Sequence, residues 1–262
     1  MHPLDYKGCI FNALREVECM NVVEQYNLTL QIEVLKEQSA ETLARLCKLV
    51  EGSGTSDCVE LLKAYSHIVN TELYLATSIH ELDILKLDLV KLENTIKESL
   101  AQASHDISDV KAVKETSDVQ AIESYSSEDF DKALERTIDF LTFNKNISST
   151  PHAVILGGQS GAGKTTIHRV KMLESKGNYI VIDGDTYRAQ HPYFRELQEK
   201  YGVDSVDYTK MFAGKMVEAV IDKLSSLKYN LIIEGTLRSA AVPINTATLL
   251  KSKGYTVDFC LI

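Results

Sequence analysis

The stretch that most constrains what this chain can fold into is Gly158-Gln159-Ser160-Gly161-Ala162-Gly163-Lys164-Thr165, which completes the pattern G-x-x-x-x-G-K-[ST]. Such a loop works only between a strand and a helix. Upstream, Ala153-Val154-Ile155-Leu156 is a short apolar run between Pro151 and the glycines, and it reads as a buried strand. Downstream, Thr165 to Glu174 is compatible with a helix. In that order the loop's backbone N–H groups and the helix N-terminus surround an anionic phosphate, while glycine permits positive φ and close backbone approach. A nucleoside triphosphate is the expected ligand. Lys164 is placed to reach its β and γ phosphates, and the hydroxyl of Thr165 to complete the coordination of Mg²⁺.

The residues after the loop repeat the strand and helix alternation. Tyr179-Ile180-Val181-Ile182, Leu231-Ile232-Ile233 and Val257 to Ile262 are strand candidates, and Met211, Phe212, Met216, Val217, Val220, Ile221 and Leu224 trace one helical stripe between two of them. This predicts an α/β fold: a P-loop parallel sheet with right-handed crossovers. A helix is expected to start near Ser126 or Ser127, with Glu128 and Asp129 in its first turn and Phe130, Leu134, Ile138 and Leu141 on one face.

The N-terminal part has a different character. With 262 residues the chain exceeds the usual single compact domain. Val23, Tyr26, Leu30, Val34, Leu35, Leu43, Leu46 and Leu49 suit one helical face, Glu51 to Asp57 reads as a loop, and Val59 to about Ala103 carries the apolar spacing of one long helix or two. Residues 1–103 thus read as a small all-helical domain for binding, 104–124 as a polar, flexible linker, and 125–262 as the P-loop domain.

A net charge of -9, with no clustered Lys/Arg stripe, argues against nucleic acid. No apolar run is long enough to span a membrane and the start, Met1-His2-Pro3-Leu4, lacks an apolar signal segment, so a cytoplasmic protein is expected. The five cysteines form no C-x-x-C pair and read as reduced, packed thiols.

Ligands of open parallel sheets gather at the strands' carboxyl ends. Asp183-Gly184-Asp185 follows the second strand, and either carboxylate could accept a proton from an acceptor hydroxyl or hold a water on Mg²⁺, with a plain Asp-Gly turn as the alternative. Glu234-Gly235-Thr236-Leu237-Arg238 follows another strand and offers an acid, a hydroxyl and a guanidinium, with a structural Glu234–Arg238 ion pair as the alternative. His191-Pro192 reads as a helix start. His152 and His168, flanking the loop, are expected to be packed or solvated.

Gly157 to Thr166, Ile182-Asp183-Gly184-Asp185, His191-Pro192 and Ile233 to Arg238 together resemble the zeta toxin family over about residues 125–262. Those toxins are kinases that use ATP and Mg²⁺ to phosphorylate the 3′-hydroxyl of the amino sugar in UDP-N-acetylglucosamine. The resemblance implies nucleotide binding by Gly158, Gln159, Ser160, Gly161, Ala162, Gly163, Lys164, Thr165 and Thr166, Mg²⁺ at Thr165, and catalysis by Lys164 and by Asp185 as the base. It also implies sugar-nucleotide contacts by Glu218, Glu234, Thr236, Arg238 and Thr246. Val23 to Val34 and Asn70 to Leu75 are similar to the toxin-binding half of a Pez-type antitoxin, whose helices pack on the kinase and obstruct nucleotide binding, in cis or from another chain. The family continues beyond the strand ending at Ile262 and there supplies phosphoryl-stabilising arginines, which implies a truncated sheet. Three readings follow: a kinase restrained by its own helices, a silent remnant that binds nucleotide or antitoxin helices, and an unrelated small-metabolite P-loop kinase with an oligomerising helical module.

Overall fold

The structure, a computed structural model, describes residues 22–51, 56–106, 122, 124–159, 162–235 and 239–262. Three long helical segments come first. α1 spans Val22–Glu51, and α2, Ser56–His67, runs on through a π-helical turn, Ile68–Glu72, into a last α-turn, Leu73–Leu75. α3 spans Ile79–Asp106. The break between α2 and α3 has a local cause. Glu81 Oε2 accepts from the Thr77 backbone N–H at 2.6 Å and from its hydroxyl at 2.8 Å, while Ser78 Oγ accepts from the Glu81 N–H at 3.2 Å. Ser78-Ile79-His80-Glu81 is an S-x-x-E start signal, so two helices form instead of one.

The three segments pack around Leu28, Ile32, Leu46, Leu62, Leu73, Leu82 and Ile96. On α1 the expected Leu43 and Leu46 are buried, but the first half of the stripe differs from the expected one. Leu28 and Ile32 are fully buried, whereas Tyr26, Leu30 and Val34 are 69%, 48% and 47% exposed. Both sets have helical spacing, and only packing against α2 and α3 chooses between them. α3 extends to Asp106, and residues 107–121 of the predicted linker, like the loop residues 52–55, lie outside the described ones.

The second unit begins with α4, Ser127–Thr142. Ser126 caps it: its Oγ accepts from Asp129 N at 3.0 Å and Asp129 Oδ2 accepts from Ser126 N at 3.2 Å. There follow β1 (His152–Gly157), α5 (Lys164–Glu174), β2 (Ile180–Ile182), a 3-10 turn (Gly184–Gln190), α6 (Phe194–Tyr201), α7 (Ser205–Ser226), β3 (Leu231–Gly235), α8 (Ala241–Ser252) and β4 (Thr256–Leu261). The strands form one parallel sheet in the order β2-β3-β1-β4.

Alternate residues of each strand face opposite layers. Ala153, Ile180, Ile182, Leu231 and Ile233 pack with Leu134 and Leu141 of α4, with Phe212, Met216, Val220 and Leu224 of α7, and with Leu250 of α8. On the other face Val154, Leu156, Val181 and Ile232 pack with Met172 of α5, and with Tyr74 from the N-terminal unit. A side chain of the helical unit is therefore part of the core of the α/β unit. Among the described residues, no helix is long and apolar enough to cross a membrane.

Candidate functional site

The glycine-rich loop leaves the carboxyl end of β1 and enters α5 through Gly163, whose φ of +93° suits glycine. A Cβ on Gly158 would lie 3.3 Å from the Ile262 carbonyl oxygen and 3.4 Å from Ala162 Cβ. A side chain there would press on both neighbours, so the loop wraps closely at this point. Ser160 and Gly161 lie outside the described residues. Thr165 is buried in the first turn of α5, and Lys164 Nζ donates to the Gly158 and Gln159 carbonyl oxygens at 3.1 and 2.8 Å. These groups fit the phosphates and Mg²⁺ that the loop pattern implies.

β3 delivers Glu234 beside this loop, because register pairs Leu156 with Glu234 and Gly157 with Gly235. Glu234 Oε1 lies 3.3 Å from Lys164 Nζ, and its Oε2 lies 3.3 Å from His168 Nε2. Burial, then Asp183, pushes the Glu234 carboxyl up, against the pull of Lys36 and Lys164. His168 is 1% exposed, and burial together with Lys36 and Lys164 drives its imidazole well below the ordinary range, so it is neutral. Its burial matches the packed histidine that the sequence suggested, yet it lines the site. The available signal was its position: His168 follows Lys164 by four residues, which puts both on one helical face.

β2 delivers Asp183 and Asp185. Asp183 Oδ1 accepts from the Asp185 N–H at 3.0 Å, capping the 3-10 turn as the turn reading expects, and both carboxylates still line the cavity described below. The Asp185 side chain is 83% exposed and is held at Oδ1 by Arg188 Nε at 2.9 Å. Arg188 Nη1 in turn donates to the Val206 carbonyl at 3.0 Å and to Thr209 Oγ1 at 3.3 Å.

Gly158, Lys164, Thr165, His168, Asp183, Asp185, Arg188 and Glu234 line one cavity of about 470 Å³, within the range of small-ligand sites. Of the remaining expected residues, Glu218 is exposed on α7 and Thr246 is half-buried on α8. Neither lines this cavity. Thr236 and Arg238 lie outside the described residues. His191 is buried beside Tyr125 and Phe212, and its Nδ1 accepts from the Tyr193 N–H, a structural role.

The opposite wall of the cavity belongs to the N-terminal unit. Glu33, Lys36, Glu37, Ala40 and Glu41 of α1 face the loop. Lys36 Nζ lies 3.8 Å from Asp183 Oδ2 and 5.2 Å from the centre of the Tyr74 ring. Tyr74 is fully buried and meets the His168 ring edge-on at 5.6 Å. Nearby, Arg169 of α5 donates to Thr29 Oγ1 at 3.0 Å and to the Ala76 carbonyl at 2.6 Å, and Lys48 donates to the Pro192 carbonyl at 3.1 Å. Arg136 of α4 pairs with Glu51. Sequence reasoning did not single out Lys36 or Tyr74. A lone lysine on a helix reads as solvated, and a tyrosine at helical spacing reads as local core.

A parallel sheet carrying this loop at the end of β1, with acids at the ends of β2 and β3, defines a P-loop α/β domain. Residues 135–262 match the model of the zeta toxin family and residues 24–99 that of the bacterial epsilon antitoxin. The N-terminal helical unit is thus similar to an epsilon antitoxin and the α/β unit to a zeta toxin. Over 141 residues it is 59% identical to the toxin PezT of Streptococcus pneumoniae, covering 54% of this chain and 56% of that protein. Over 134 residues it is 42% identical to the toxin zeta of Streptococcus pyogenes, covering 51% and 47%. A solved chain from the structural characterization of the PezAT chromosomal toxin-antitoxin system of Streptococcus pneumoniae superposes with a TM-score of 0.53 at 58% identity, covering 53% of this chain and 58% of that one. The chain spans about half the length of the curated relatives it matches.

Proposed function

We propose that this chain is an ATP- and Mg²⁺-dependent kinase of the zeta type, acting on the 3′-hydroxyl of the amino sugar in UDP-N-acetylglucosamine and held closed by its own N-terminal helices. One observation carries the reading. The cavity that holds Lys164, Thr165 and Asp185 has α1 as its other wall. In the open enzyme Gly158 to Thr166 would wrap the phosphates, Lys164 would turn from the loop carbonyls to the β and γ phosphates, and Thr165 would hold Mg²⁺. Bound there, Mg²⁺ neutralises phosphate charge. Asp185, oriented by Arg188, takes the proton of the sugar hydroxyl. Glu234, Thr236, Arg238, Glu218 and Thr246 are the sugar-nucleotide contacts of this reading.

The charge of α1 supports closure. Glu33, Glu37 and Glu41 recur every fourth residue, so one helical face turns three carboxylates toward the loop that would receive a triphosphate. The described lining carries six carboxylates, Glu33, Glu37, Glu41, Asp183, Asp185 and Glu234, against the cations Lys36, Lys164 and Arg188. A polyanion is repelled while α1 is docked.

The test is ADP release, with detection of the phosphorylated sugar, upon addition of UDP-N-acetylglucosamine. Product is expected to rise when residues 1–105 are removed and to vanish with Asp185→Ala. If neither the full chain nor the shortened one makes the phosphorylated sugar above background, the kinase reading fails. A binding unit without turnover is the second reading, favoured by Lys164 being engaged by two carbonyls and Glu234 in the closed form. It retains nucleotide binding in the shortened chain without product.

A further inference from the structure

The cations that line the cavity are all taken by acids of the α/β unit: Lys36 lies 3.8 Å from Asp183, Lys164 3.3 Å from Glu234 and Arg188 2.9 Å from Asp185. Glu33, Glu37 and Glu41 of α1 are left without a cation among the lining residues. Like charges four residues apart on a helix repel one another. Their arrangement suits an extended cation and not a compact one. Among the described residues no group of three His, Cys, Asp or Glu side chains stands close enough to hold a metal ion. Successive carboxylates are instead about 6 Å apart along the helix axis, comparable with ammonium groups joined by a four-carbon chain. A second observation, independent of α1, points to an N–H donor. His168 lines the same cavity, is 1% exposed, and has no hydrogen-bond partner at either ring nitrogen, although Nε2 approaches Glu234 Oε2 to 3.3 Å. A neutral imidazole has one acceptor nitrogen, and a buried acceptor left unpaired is unfavourable. An ammonium N–H supplies the missing donor. The half-buried Phe194 adds an aromatic wall, which attracts cations.

We propose that the closed cavity is a binding site for a linear polyamine, whose ammonium groups meet Glu33, Glu37 and Glu41 along α1 while one end reaches the unpaired imidazole of His168. At about 470 Å³ the space is large enough for a flexible aliphatic chain. Thr29 of α1 meets Arg169 of α5, and Lys36 meets Asp183 at the end of β2, so Glu33 falls between two contacts that already hold the helix to the α/β unit. A polycation there relieves the repulsion of α1 by itself and by the acids at the strand ends. It touches both walls and is bound only while they face each other, so it favours the docked form. The lining that repels a polyanion attracts this ligand, and the inference does not depend on turnover at the P-loop.

The experiment uses the full chain. Spermidine, butane-1,4-diamine, butylamine and Mg²⁺ are each titrated into it by calorimetry, at low and at moderate salt, and the melting temperature is followed with the same ligands. Spermidine is expected to saturate a single site, to raise the Tm, and to bind more weakly as salt is added. Butane-1,4-diamine binds less tightly, and butylamine and Mg²⁺ give no saturable heat over the same range. The triple variant Glu33→Gln/Glu37→Gln/Glu41→Gln keeps side-chain shape and helix propensity, and it is expected to lose about tenfold or more of the spermidine affinity. Equal affinity in the triple variant, or butylamine or Mg²⁺ binding as tightly as spermidine, overturns the proposal. Should the triple variant show no folded baseline, Glu37→Gln alone, at an exposed position, is expected to lose about twofold, and unchanged affinity there overturns the proposal equally. A chain that makes no phosphorylated sugar leaves these titrations unaffected, so the two failures are told apart.

Discussion

At the scale of single residues, the exposed Asp185 carboxylate depends on Arg188, which grips it with one nitrogen and the start of α7 with another. A base free to rotate spends little time in line with its hydroxyl. Arg188→Ala in a chain lacking residues 1–105 is therefore expected to lower kcat by about tenfold to a hundredfold with KM nearly unchanged; steady-state rates decide, and equal losses in both constants would place Arg188 in substrate binding instead. His191 sets a pH dependence. Burial and the Lys48 charge push its imidazole down to about 4, against about 6.5 unfolded. Between these values the unfolded chain binds the extra proton, so stability rises with pH there. The contribution is complete above about pH 6.5 and is lost as pH falls toward about 4. Melts from pH 7.5 to 4.5 are expected to be flatter for His191→Asn than for the native chain. Little of this was legible from sequence. Arg188 and Lys36 draw their roles from groups on other elements, Val206, Thr209 and Asp183, that no local spacing brings into view.

At the scale of elements, the sequence signals are local and correspondingly strong. β1, β2 and β3 sit within a residue or two of the apolar runs at 153–156, 179–182 and 231–233, because strands buried on both faces must be apolar throughout; β4 falls on the run at 257–262 although most of it is exposed. α4 starts after Ser126 because the capping pair, Ser126 and Asp129, is written within four consecutive positions. Ser126→Ala is expected to cost about 1 kcal/mol, seen as a Tm lower by about 2–4 °C. The faces of the N-terminal helices were harder to read: two apolar stripes compete on α1, and α2 carries a π-turn at Ile68–Glu72 that shifts the face reaching the sheet. Just there Gly177, with φ of +82°, faces α2, and a Cβ on it would come within 2.9 Å of Thr71 Cγ2. Gly177→Ala combines a left-handed backbone with that collision. It is expected to destabilise the chain by about 1–3 kcal/mol in a denaturant melt, and Thr71→Ser, by removing the methyl, to return part of the loss; no return would put the whole cost in the backbone.

At the scale of the whole molecule, Tyr74 makes the two domains interdependent. It is fully buried among Val154, Leu156, Met172, Tyr179, Val181 and Ile232, so the sheet's second face is completed by a side chain of the N-terminal helical unit. Phe140 of α4 returns the contact by packing in the core of the helical unit. Interleaved cores of this kind favour one cooperative transition over separate unfolding of two units. Replacing a buried aromatic by alanine typically costs about 3–5 kcal/mol through lost burial and the cavity left behind. Here the loss falls on the seam, since Tyr74 also covers His168 and stands beside Lys36. Tyr74→Ala in the full chain is thus expected to lower the denaturation midpoint and to raise the affinity for a fluorescent ATP analogue with Mg²⁺ by about tenfold or more, because the population with α1 lifted from the cavity increases. Tyr74→Phe keeps the packing of the ring and removes only the hydroxyl near Lys36, so it is expected to stay far closer to the native chain than Tyr74→Ala in both measurements. Loss of stability in Tyr74→Ala without a gain in nucleotide affinity would mean that α1 stays seated when the plug is gone, and that Lys36, Arg169 and the acidic face of α1 suffice to keep the site closed.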